Sequence, residues 1–240
     1  MIALFTDYGI NGPYVGQVHA VLSRIAPDEK IVNLMLDLPR QNQKAAAYML
    51  ARCVKEFNNG TIFFCVVDPG VGTFVDDPVV LKLDESWYVG PNNGLFNIVA
   101  RNAEHIECWK IHWRPEELSN SFHGRDLYAP ICAMIANGLD IPGEKITWQD
   151  NPAWPDDLQE IIYIDGFGNC ITGFRATDNM VEKTIYIHKH VILHATTFSE
   201  VKLGEVFWYE NSLGLVEIAV NQGSARNSLG INIGDEFAFR

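Results

Sequence analysis

Three polar side chains interrupt apolar or glycine-rich runs where they could do chemistry: Asp7 in FTDYG, Asp68 in VVDPGVGT and His123 in FHGRD. A carboxylate at Asp7, directly after a short apolar run, can accept two hydrogen bonds from a vicinal diol such as the 2′,3′ pair of a ribose. A turn or helix-capping aspartate is the alternative at that position. Asp68 carries the same chemistry on a stiffer loop, because Pro69 fixes one backbone dihedral and Gly70 and Gly72 let backbone amides approach a ligand. His123 stands ahead of an apolar helix, where an imidazole can exchange protons near neutral pH. A hydrogen-bonded structural histidine fits the same place, and the neighbouring Arg125 and Asp126 read as a structural pair or a cap.

Other chemistries find little footing. The glycine loop after Asp68 matches neither GxGxxG nor GxxxxGK[ST], which leaves nucleotide-phosphate binding weak, and no GxSxG elbow offers a nucleophilic serine. His188 and His190, read as sharing one face of a strand, and the nearby His194 form the nearest approach to a metal cluster. They lack a carboxylate at a recognisable spacing, so no metal is expected. Five cysteines, Cys53, Cys65, Cys108, Cys132 and Cys170, are scattered and mostly sit in apolar runs. Buried free thiols fit that pattern better than disulfides or zinc.

The elements that must position these residues follow from hydrophobic period. Strands are expected over 2–6, 31–36, 61–67, 79–83 and 87–89, and helices over 14–25, 43–57, 95–100 and 127–136. Alternation of this kind predicts an α/β domain with a mostly parallel sheet flanked by helices, whose ligands gather beyond the carboxyl ends of the strands. Near residue 140 the pattern changes: Pro142, Pro152 and Pro155 break a polar stretch, and short strands follow at 159–165, 170–174, 184–187, 206–209 and 215–220. A small all-β barrel or sandwich is expected there, giving domains at 1–145 and 157–240 with the boundary inside 140–157.

Composition sets the outer limits. With 48% apolar and 20% charged residues in 240, the chain can bury a core. Asp and Glu number 30 against 18 Lys and Arg, a formal net charge of −12. Such a surface repels phosphate backbones and anionic lipid, so neither nucleic acid nor membrane is expected as a partner. The start MIALFTDYG lacks a basic, long apolar leader, and no apolar run approaches the roughly 18 residues of a membrane span. A soluble cytoplasmic protein is the expectation.

In order along the chain, FTDYG (5–9), YVG (14–16), VVDPGVGT (66–73), VGPNNG (89–94), FHGRDLYAP (122–130), IDGFGN (164–169) and NSLGLVEIAVNQGSA (211–225) resemble the S-adenosylmethionine hydrolase family. These enzymes, also called S-adenosylmethionine hydroxide adenosyltransferases, are related to fluorinating and chlorinating enzymes that use the same substrate. The resemblance implies an N-terminal α/β domain and a C-terminal β-barrel-like domain, in trimers whose active sites lie between neighbouring subunits. It implies S-adenosylmethionine as substrate, with no further cofactor, cleaved by water to adenosine and L-methionine.

Carried over position by position, the resemblance puts Asp7 on the ribose hydroxyls and Asp68 and His123 at the attacking water. Phe167 would pack on adenine, with Phe198 a second stacking candidate, and Asn169 would hydrogen-bond the base. Asp165 and Ser212 would meet the amino-acid end of methionine. Three places depart from the family: its water-site arginine falls at Val75, a Thr-His pair is replaced within Leu34-Met35-Leu36-Asp37, and Asn92 stands for an aspartate. Three activities stay open with Val75 there: hydrolysis, which the retained His123 favours, halide transfer, and binding without turnover.

Overall fold

In the computed structural model, which describes residues 1–72, 76–150 and 152–240, the chain forms two units, Met1–Asn151 and Pro152–Arg240. The first runs β1 (Ile2–Thr6), α1 (Tyr14–Ile25), β2 (Ile31–Met35), α2 (Gln43–Cys53), β3 (Ile62–Val66), β4 (Pro78–Leu83), β5 (Ser86–Pro91), α3 (Asn97–Ala100), β6 (Ile106–Ile111), α4 (Ala129–Ala136) and β7 (Gly143–Ile146). Its strands lie in the order β2-β1-β3-β5-β4-β6-β7. Pairing is parallel from β2 through β1 and β3 to β5 and antiparallel from there to β7. All strands but β4 and β7 therefore point one way, which is the mostly parallel sheet expected.

β1 and β3 read as unbroken apolar runs because both of their faces are covered, and every residue in them is buried. On one face Ile2, Leu4, Ile62 and Phe64 pack with Val18 and Leu22 of α1 and with Ile131 and Cys132 of α4. α2 starts at Asn42, whose side chain accepts from the Ala45 N–H at 3.0 Å, the N-cap contact that satisfies a free helix donor. The helix expected to reach residue 57 ends at Cys53 and tightens into a 3-10 turn over Val54–Glu56. The helix expected at 127 begins earlier, as a π-turn over Gly124–Tyr128 that feeds α4. β6 and β7 had no counterpart in the sequence pattern; β7, GEKI, is an edge strand exposed along most of its length and shows no apolar side.

The second unit runs β8 (Leu158–Ile164), β9 (Cys170–Arg175), β10 (Ile185–Ile187), β11 (His190–Ile192), β12 (Val206–Glu210), β13 (Leu215–Val220), α5 (Ala225–Leu229) and β14 (Ala238–Phe239). Two antiparallel sheets, β12-β13-β9-β8 and β11-β10-β14, enclose Ile161, Ile185, Trp208, Val216, Ile218 and Phe237. Single bridges, Glu160 to Glu236 and His194 to Trp208, join them at both edges. The unit is barrel-like in that sense, without a continuous closed ladder.

The histidine cluster comes apart here. His188 sits at φ +51° in the turn between β10 and β11 rather than on a strand face with His190. It approaches Asp235 at 3.1 Å, while His194 lies edge-on to Trp208. Among the described residues no three His, Cys, Asp or Glu side chains converge as a metal would require. All five cysteines are free, and all but Cys53 are fully buried. Burial pushes the Cys53 and Cys108 thiols up to about 11, so they stay protonated at neutral pH. No helix among the described residues is long and apolar enough to cross a membrane.

Candidate active site

β1 and β3 pair in parallel with Thr6 opposite Val66, so the chain leaves the sheet at two adjacent carboxyl ends. Asp7 and Asp68 follow those ends by one and two residues, where parallel sheets present ligand-binding groups. His123 arrives from the segment that opens the π-turn. Asp7, Tyr8, Asp68, Phe122, His123 and Gly124 line one cavity of about 70 Å³. The three residues singled out from the sequence of this unit are thus brought together.

Their loops are fixed by specific bonds. The Gly70 N–H donates to Asp68 Oδ1 at 3.0 Å. Asn93 Nδ2 donates to the Val67 carbonyl at 2.8 Å, while Asn93 Oδ1 accepts from the Leu95 N–H; the chain entering Asp68 is therefore anchored from the loop after β5. Gly72, at φ +82°, lies so near the Asn120 carbonyl that a Cβ there would stand 2.4 Å from it, so only glycine lets the Asp68 loop meet the segment leading to His123. On the other side the Gln41 N–H donates to Asp7 Oδ2 at 2.9 Å. Arg125 and Asp126 pair with each other at 2.5 and 2.8 Å, Arg125 also reaches Gln17, and Asp126 accepts from the Ser119 N–H. They brace the π-turn, as a structural pair would.

Burial raises the pKa of Asp68 above the ordinary aspartate range, opposed by the Gly70 N–H and by His123, while Asp76 adds to the rise. Asp7 is raised by the same desolvation, opposed chiefly by the Gln41 N–H. Both carboxylates are therefore more basic than in water. Val75 lies outside the described residues.

In the second unit Asp165, Phe167, Asn169, Phe198 and Ser212 all line one cavity of about 770 Å³, within the range of small-molecule sites. Asp165 organises the loop that carries three of them: its Oδ1 accepts from the Phe167 and Asn169 N–H groups, each at 2.9 Å, and its Oδ2 accepts from Asn169 Nδ2 at 3.1 Å. Phe167 is left 82% exposed at the cavity. Phe198, by contrast, lies edge-on to Phe207 and Tyr209, at 4.9 and 5.4 Å between ring centroids.

Sequence reasoning missed Tyr8, Asn93 and a buried network around Glu217. Glu217 is only 4% exposed, yet it lines the larger cavity. Tyr209 Oη donates to its Oε1 at 2.6 Å and Asn211 Nδ2 to its Oε2 at 2.8 Å. Burial raises its pKa, opposed by those two donors. Asn211 Oδ1 in turn accepts from the Leu213 and Leu215 N–H groups, which shapes the turn bearing Ser212. A charged residue inside LVEIAV was the available signal.

One unit thus offers carboxylates and an imidazole around a space of solvent size; the other offers a cavity lined by aromatic rings, amides and the carboxylates of Asp165 and Glu217, with no Lys or Arg among the described residues of its wall. Comparison with known proteins agrees with that division. Residues 2–144 match the SAM hydroxide adenosyltransferase N-terminal domain and residues 159–238 its C-terminal domain. The (R)-S-adenosyl-L-methionine hydrolase of Thermus thermophilus is 34% identical over 97% of this chain and 96% of its own. A fluorinase from Nocardia brasiliensis stands further off, at 24% identity over 61% of this chain and 56% of its own. The crystal structure of an uncharacterized conserved protein from Thermotoga maritima superposes with a TM-score of 0.90 at 30% identity, covering 100% of this chain and 99% of that one. On both domain matches and the full-length relative, this chain belongs to the SAM hydroxide adenosyltransferase family.

Proposed function

We propose that this protein hydrolyses S-adenosylmethionine to adenosine and L-methionine. The observation that carries the reading is the cavity of about 70 Å³ faced by Asp68 and His123, in a chain whose hydrolase relative matches it from end to end. A polar-lined cavity of that size has room for an ordered water. A water lone pair forms the new bond to the ribose 5′ carbon as the carbon–sulfur bond breaks and its electron pair returns to sulfur. The sulfonium becomes the neutral thioether of methionine, and the water proton passes through Asp68 to solvent. Asp68 and His123 orient the water, and that chemistry needs neither metal nor cofactor.

The remaining roles are the ones the family resemblance implies for these positions. Asp7 keeps acceptor capacity beyond its bond to Gln41 for the two ribose hydroxyls. Phe167 stacks on adenine, Phe198 closes the aromatic side, Asn169 meets the base, and Asp165 and Ser212 meet the amino-acid end. The assembly is a trimer with active sites between neighbouring subunits; the unburied Phe167 supports a covering surface there, and light scattering at three chain masses tests it.

Asp68→Ala and His123→Ala should each lower adenosine release by about 10²–10⁴-fold, the usual worth of a positioned proton-transfer group. Asp7→Ala should instead weaken binding by about 1.5–3 kcal/mol in calorimetry. Unchanged turnover in the first two variants removes the water-orienting role. Val75, at the place of the family arginine, favours a second reading, a protein that binds S-adenosylmethionine without cleaving it. Halide transfer is the third, and 5′-halo-5′-deoxyadenosine formed on adding chloride or fluoride would select it.

A further inference from the structure

Tyr8 lines the small cavity of the first unit and has no part in the roles assigned so far. Its ring is fixed by Phe122 and Phe64, edge-on at 5.6 and 6.5 Å between centroids, and by Tyr14 at 6.3 Å. Its hydroxyl is pressed over Gly124, close enough that a Cβ on that residue would lie 1.9 Å from Oη. That places the oxygen at the turn following His123. The residue lines the same small cavity as Asp7, Asp68 and His123, yet the hydroxyl has no hydrogen-bond partner among the described residues. With its oxygen unpaired among the described residues and the side chain lining a cavity of solvent size, the phenol has room there for a water or ligand oxygen as its partner.

Resting on the hydrolysis reading, we infer that the Tyr8 hydroxyl is a third contact of the attacking water, alongside Asp68 and His123. Attack uses one lone pair of the water, and Asp68 takes one hydrogen. The phenol, which both donates and accepts, holds the water from a further direction and aims the remaining lone pair at the 5′ carbon. Burial and the nearby Asp7 and Asp68 push the phenol well above its ordinary range, so it keeps its proton at neutral pH. It acts as a fixed hydrogen-bonding group, and Gly124 is the residue that leaves room for it.

Tyr8→Phe removes one oxygen and leaves every ring contact in place. The expected result is a fall in kcat for adenosine release of about 2–13-fold, the worth of one neutral hydrogen bond, with KM for S-adenosylmethionine changed less than about twofold. Crystals grown with adenosine should show, in the unsubstituted protein, an ordered water within about 3.2 Å of Oη that is missing from the variant. Wild-type kcat in the variant overturns the inference, and so does a raised KM at unchanged kcat, which would make Tyr8 a substrate-binding group. If the unsubstituted protein releases no adenosine, the hydrolysis reading fails by itself. The crystals then decide Tyr8: a water shared by Oη and Asp68 supports the contact, and an empty position there overturns it.

Discussion

Burial makes Asp68 a stronger base than an aspartate in water, opposed by the Gly70 N–H and by His123. The ionised carboxylate is the form that can take a proton from water. Activity should therefore be absent at low pH and rise through a value above the ordinary aspartate pKa of about 3.9. A pH profile of kcat/KM reads this group in the free enzyme; an acid limb at or below 3.9 would mean that Asp68 is not the group observed. Asp7, Asp68 and His123 were legible because each breaks an apolar or glycine-rich run within a short motif. Glu217 was not: a single acidic residue within a strand normally faces solvent, and its burial depends on donors from Tyr209 and Asn211, across the β12–β13 hairpin.

That hairpin is where element-scale consequences are largest. Glu217 holds Asn211, and Asn211 holds the turn. Glu217→Gln keeps an acceptor for Tyr209 but sets an amide N–H against Asn211 Nδ2, whose own oxygen is already engaged. The expected loss is about 1–3 kcal/mol for the donor left unpaired, read from the midpoint of urea unfolding. Because the folded pKa of Glu217 is raised, the folded state holds its proton more readily than the unfolded chain. Its contribution to stability is present below the unfolded glutamate pKa of about 4.3 and is lost as pH rises through the folded value. The glutamine variant should lack that slope, and a variant that keeps it would place the titration elsewhere. Hydrophobic period found α1 and most strands of the second unit. It missed β7, an edge strand exposed along most of its length, and the π-turn, which Gly124 permits through tertiary packing against Tyr8.

At the scale of the whole molecule, the change of pattern near residue 140 marked a second architecture, although the edges linking its two sheets rest on single bridges that no local signal encodes. The acidic balance, 30 carboxylates against 18 basic side chains, suits a cationic substrate that loses its sulfonium charge on reaction. The central claim is that water attacks the ribose 5′ carbon. It is tested most directly by incubating the protein with S-adenosylmethionine in ¹⁸O-water and weighing the nucleoside released. The account predicts adenosine with one ¹⁸O in its 5′ hydroxyl, formed one for one with unlabelled methionine, with and without added halide. Intact substrate, a halogenated nucleoside, or adenosine without the label would contradict it.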